Sequence, residues 1–165
     1  MPSDHEWRLG GPPNRGQPQQ ESVRDRQENP RAEDIAAVLS GDATRIDEIA
    51  ERLGKRLAER KLNRTQIRNF YGPITIVRAE DNPDKRKKAL RMHRSRLAYL
   101  VARADRGAAD DLWDLFGELL KRAEGKTQID AVCDLAEAVV AYHRYHDKRR
   151  ETDEQSRGAK GQANF

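Results

Sequence analysis

Between Arg64 and Arg106 apolar side chains recur at three- and four-residue steps, and arginine or lysine fills most of the remaining positions. Ile67, Phe70, Tyr71, Ile74 and Val77 form one series; Ala89, Leu90, His93, Leu97, Leu100, Val101 and Ala104 form the next. That spacing gathers the apolar groups on one helical face and leaves the cations on the other. The β-branched run Ile74-Thr75-Ile76-Val77 could suit a short strand, but nothing elsewhere offers it a pairing partner. A helix is the better reading.

The same period governs the flanks. Ile46, Ile49, Ala50, Leu53 and Leu57 predict a helix over residues 43–61, with Asp42 as its N-cap. Asn63 with Gln66 resembles a capping box opening the next helix. Gly72-Pro73 interrupts that helix: Pro73 removes the amide that would bond the carbonyl of Asn69, so the spacing predicts a kink, or a stop at Tyr71 and a restart. Asn82-Pro83 starts a third helix that Gly107 closes. Leu112, Trp113, Phe116, Leu119, Leu120 and Ala123 predict a fourth over 108–123, ended by Gly125. Thr127 with Asp130 then caps a fifth that runs to about His146 on Ile129, Val132, Cys133, Ala136, Val139, Val140 and His143. Short connections favour antiparallel neighbours. The expectation is all-α: a compact antiparallel bundle of about five helices in residues 32–147, with two loose helical turns over 32–40.

Both ends differ in composition. Residues 1–31 hold almost no aliphatic side chains and are expected to form a disordered arm, in which Trp7 and Leu9 could be a short docking element. Residues 148–165 are polar and near charge balance, and are expected to form a disordered tail. Cys133 is the one cysteine, so no intrachain disulfide and no cysteine metal site can form; it fits a buried helical position. No run of about 18 apolar residues is present, and the first residues lack the apolar core of a signal peptide, so the expected setting is a reducing cytoplasm without membrane contact.

The net charge of +4 hides an uneven distribution. Residues 43–106 carry +10, while the segments before and after carry −3 each. The middle therefore attracts polyanions. The competing view is that these charges only solvate helix faces. Arg64 and Arg68 stand one helical turn apart; Arg96 and Arg103 stand two turns apart, flanking Tyr99. Guanidinium groups so spaced, beside an aromatic ring, suit phosphate and sugar contacts along a groove edge without base readout. Catalysis finds no such constellation. His143 and His146 lack further ligands, and His93 fits a core position. The chain has no His-Glu-x-x-His, Gly-x-Ser-x-Gly or phosphate-binding glycine loop. No catalytic residue, metal site or cofactor is expected.

Three segments in order carry a resemblance. Gln66-Ile67-Arg68-Asn69-Phe70-Tyr71, then Arg96-Leu97-Ala98-Tyr99 with Arg103, then Glu137 to His146 resemble the signatures of the small helical subunit of type III-A CRISPR effector (Csm) complexes. The likeness covers about residues 60–147; the terminal arm, the tail and Gly72-Pro73 depart from it. It implies a non-catalytic helix bundle that associates with further copies of itself as an inner filament. That filament lies against the guide RNA–target RNA duplex, between the backbone subunits and the large polymerase-like subunit. It carries over Arg68, Arg96 and Arg103 as RNA-contacting positions, to which the surface argument adds Arg64 and Tyr99. Tyr142 and His143, in the third segment, could instead close the bundle core. A type III-B small subunit, a freestanding basic DNA-binding protein and a helical nuclease are the competing classes.

Overall fold

The computed structural model describes residues 29–162, which form six α-helices and no strand. They are α1 (Asn29–Ser40), α2 (Ala43–Glu59), α3 (Arg64–Ala79), α4 (Pro83–Arg103), α5 (Asp110–Arg122) and α6 (Gly125–Gln162), with a single 3-10 turn at Asp105–Gly107 between α4 and α5. The expected arm, with Trp7 and Leu9, lies outside the described residues apart from its last three positions, which open α1.

Most helix starts are where side-chain chemistry put them. Asp42 accepts from the amide of Arg45 at 3.1 Å, and Asn82 accepts from Asp84 and Lys85 ahead of α4. The Asn63–Gln66 capping box closes in both directions, at 2.9 and 3.0 Å. Two helix ends share a Schellman geometry: the residue in the left-handed region is Gly41 (φ 76°) after α1 and Lys61 (φ 61°) after α2.

Of the two readings at Pro73, the stop and restart is excluded, because α3 runs from Arg64 to Ala79 with Pro73 inside it. Both Pro73 and Asn69 line an open groove, so the carbonyl deprived of its usual donor is not trapped in the core. Three boundaries differ from the sequence reading. α4 stops at Arg103, and Gly107 (φ 69°) belongs to the 3-10 turn. α6 begins at Gly125, two residues before Thr127: the side chain of Gln128 reaches back to the amide of Glu124 at 2.9 Å, and Asp130 is engaged by Arg86 instead. Finally, α6 continues to Gln162 where an irregular tail was expected. Residues 151–158 are exposed, and local pairs hold the helix there. Arg150 bridges Asp147 (2.8 Å) and Glu154 (3.1 Å), and the Thr152 and Ser156 hydroxyls donate to carbonyls four residues back. At 38 residues α6 is about 57 Å long.

α6 is the spine, and α2 packs along it. They approach closely at Gly54, in the middle of α2, where a Cβ would lie 2.7 Å from both the amide nitrogen of His143 and the Cβ of Tyr142. The partners of that crossing then lock. Tyr142 Oη donates to Asp47 at 2.9 Å, and the buried His143 donates from Nε2 to the carbonyl of Leu62 at 2.8 Å. The third sequence segment thus closes the bundle.

Across the other side of the core, α3, α4 and α5 meet around Phe70 and Phe116, whose rings pack edge to face at 4.8 Å. Leu90, Leu97, Leu112, Leu119 and Leu120 are fully buried in the same cluster. Cys133 is buried too, and burial pushes its thiol pKa up, so it acts as a small apolar group.

Gly54→Ala is expected to lower unfolding stability by about 2 kcal/mol in urea titration, because the methyl group meets backbone. Helix propensity alone would favour alanine by about 1 kcal/mol, so the sign of the change tests the crossing.

Candidate nucleic-acid interface

The basic residues of α4 do two different jobs. Arg86 is buried; its Nε donates to the carbonyl of Val77 at 2.9 Å, covering the end of α3, and it bridges Asp130 on α6. Arg91 donates to the carbonyls of Leu120 and Ala123, where α5 runs out of amide donors. Arg94 donates to the carbonyl of Gly117 at 2.8 Å and lies over the Trp113 ring at 4.9 Å. Lys87 pairs with Glu124 at 2.9 Å. These four stitch α4 to its neighbours. Their reading as part of a free cationic face is corrected: helix ends with open carbonyls sat close enough to take them.

The others stay outward. Lys85, Lys88 and Arg96 have no ion-pair partner among the described residues, and neither does Arg68 on α3. α3 and α4 form an antiparallel hairpin, and its outer side is a groove of about 770 Å³. Arg68, Arg96, Tyr99 and Arg103 line it together, with Asn69, Gly72, Pro73 and Leu100 between them. Four of the five residues expected to contact RNA therefore converge on one concavity. Arg103 donates to the Tyr99 hydroxyl at 2.8 Å and sits 5.6 Å from its ring centre, and Tyr99 is 63% exposed.

Arg64 is the exception. It turns to the far side of α3, toward α6, and reaches Glu151 at 3.3 Å and Asp147 at 3.9 Å. There it helps line a second groove of about 370 Å³, with Tyr71, Arg144 and Asp147. Arg68 borders both grooves. The extended α6 supplies Glu151, so a tail read as unstructured hid the partner of Arg64. Asn69 and Pro73 are groove residues that sequence reasoning did not nominate. The available signal was Pro73 itself, which breaks an otherwise regular helical pattern on its exposed side.

Behind the groove, His93 is buried against Phe70 (ring centres 5.7 Å), and neither ring nitrogen has a hydrogen-bond partner among the described residues. It occupies the core position its spacing predicts, without the hydrogen-bond partner that a core histidine ordinarily finds. Burial, helped by the nearby Arg96 charge, lowers its pKa from 6.5 to about 4. Burial also lowers the pKa of His143. Among the described residues no group of three His, Cys, Asp or Glu is placed to hold a metal ion, and no helix is long and apolar enough to cross a membrane.

The described residues form a small all-helical protein with a concave cationic face between α3 and α4. The family model described as Csm2 Type III-A matches residues 40–149, about two thirds of the chain. The chain belongs to this family: it is a small subunit of the type III-A Csm complex and associates with other components of that complex. No curated protein and no solved structure matches it.

One pair of variants separates scaffold from surface. Arg86→Ala should cost about 2 kcal/mol, since it leaves the Val77 carbonyl without its donor and removes the bridge to Asp130, which keeps only Lys126. Arg96→Ala should stay within about 0.5 kcal/mol of the parent chain in the same urea titration. Stability should also depend on pH through His93. The folded chain holds this ring neutral down to about pH 4, whereas the unfolded chain takes up a proton near 6.5. Stability from this group is full above pH 6.5 and is lost as pH falls toward 4, by about 3 kcal/mol. His93→Leu should remove most of that slope when unfolding is compared at pH 7, 5.5 and 4.

Proposed function

We propose that the α3/α4 groove is where this subunit meets RNA. It holds the phosphates and sugars of the guide RNA–target RNA region without reading sequence. The observation that carries this is the meeting of Arg68 and Arg96, neither with a carboxylate partner among the described residues, across one groove with Tyr99 and Arg103. A guanidinium already paired to a carboxylate gains little from a phosphate; an unpaired one releases counterions from the polyanion. Within the complex, copies of the chain would form an inner filament beside the backbone and large subunits, in the cytoplasm. The subunit contributes no catalysis in this reading: His143 is committed to the Leu62 carbonyl, and His93 is sealed in the core.

The experiment is RNA retention by the reconstituted complex across a salt series. Arg68→Ala with Arg96→Ala should weaken retention about tenfold and reduce the salt slope by about one unit per lost phosphate contact. Arg64→Ala, which breaks only the Asp147 and Glu151 pairs, should change it far less. Unchanged retention in the double variant would remove the groove from the RNA path.

A further inference from the structure

The groove contains more than a phosphate track needs. A backbone-only surface requires cations at phosphate spacing, and a convex or flat helix face would serve. Here the cations surround a concavity of about 770 Å³, which has room for a whole nucleotide. One wall is the Tyr99 ring, 63% exposed, with Arg103 bonded to its hydroxyl, so an aromatic face is open to a stacking base. Gly72, Pro73 and Leu100 supply a low apolar lining, and a Cβ added at Gly72 would meet nothing within 4 Å. Pro73 has no amide, so the Asn69 carbonyl lacks its normal helical donor and is left as an acceptor at the groove. The Asn69 side-chain amide has no bond partner among the described residues either.

An exposed aromatic face, a polar edge offering both donor and acceptor, and two guanidinium groups without carboxylate partners together match one unpaired nucleotide. We infer that the α3/α4 groove seats an unpaired ribonucleotide, its base stacked on Tyr99 and its flanking phosphates held by Arg68 and Arg96. The inference rests on the RNA reading of this groove and narrows it: the preferred ligand is a single strand or an extruded base, and a continuous duplex engages only the cations. Stacking of this kind tolerates any base, because every base presents a flat face.

The test uses the full-length chain, a 12-nucleotide RNA with one central 2-aminopurine, and the same RNA annealed to its complement. The parent chain should bind the single strand roughly tenfold more tightly than the duplex. Binding should also quench the 2-aminopurine as it stacks. Tyr99→Leu should abolish the quench and lose about tenfold on the single strand while leaving the duplex unchanged; Tyr99→Phe should keep the quench. Tyr99 is exposed, so neither variant threatens the core. Equal affinity for both RNAs, with no effect of Tyr99→Leu but weakening of both by Arg68→Ala and Arg96→Ala, would overturn the seated base and leave the backbone reading standing. Indifference of both RNAs to the arginine changes would overturn the two together.

Discussion

The closeness of α2 and α6 at Gly54 sets the rest of the bundle. Any side chain there would push apart two helices whose backbones are already in contact distance. Because they approach so closely, His143 can reach past α2 to the Leu62 carbonyl, and Tyr142 can reach Asp47. The Leu62 bond has the wider consequence. It pins the short connection after α2, whose Schellman turn already places Lys61 in the left-handed region, and so fixes where the Asn63 cap launches α3. The position of Arg68, one turn into α3, is thus inherited from a glycine in a different helix.

From α3 onward the controlling interactions are cationic. Helix ends leave carbonyls without amide donors, and a buried end needs another source. Arg86 serves the end of α3, and Arg91 serves the end of α5; Arg94 adds a bond to the Gly117 carbonyl within α5. Each of these side chains projects from α4, so α4 is fixed in rotation against both neighbours by directional bonds as well as by the packing of Leu90 and Leu97. A helix whose inner and flanking arginines are held in this way must present its remaining side chains, Met92, Arg96 and Tyr99 among them, outward.

How much of this was legible depended on the kind of interaction. Apolar period and caps are local, and they marked the helices, the Asp42, Asn63 and Asn82 starts, and the burial of Phe70, Leu97 and Val139. The α6 extension was missed because its support comes from exposed pairs such as Arg150 with Asp147 and Glu154, which leave no apolar signature. The division of the α4 cations was missed for another reason. Arg91 and Arg96 are the same residue type on the same helix, and only the position of a distant α5 terminus distinguishes them. Arg64 and Arg68 were likewise read as a pair from their spacing, yet they are separated by an acidic partner 87 residues along the chain.

Several departures from local rules meet in one place. A proline sits within a helix, a carbonyl is left without its usual donor, two arginines lack counter-charges among the described residues, and a tyrosine stands exposed. All of them border the α3/α4 groove. Elsewhere α2, α3 and α4 have filled caps, buried charges such as Asp34 and Asp111 are met by arginines, and the core is largely aliphatic, although α5 starts without a side-chain cap and Lys61 lies in the left-handed region. Stability does not require any of the groove's irregularities. Pro73 weakens the hydrogen-bond ladder of α3, and clustered like charges repel. Local departures that cluster on one concave surface point to a site where a ligand restores what folding left open. At this groove the missing components are negative charge, a flat ring and a hydrogen-bond partner for the Asn69 carbonyl, the three things that the proposed nucleotide would bring together.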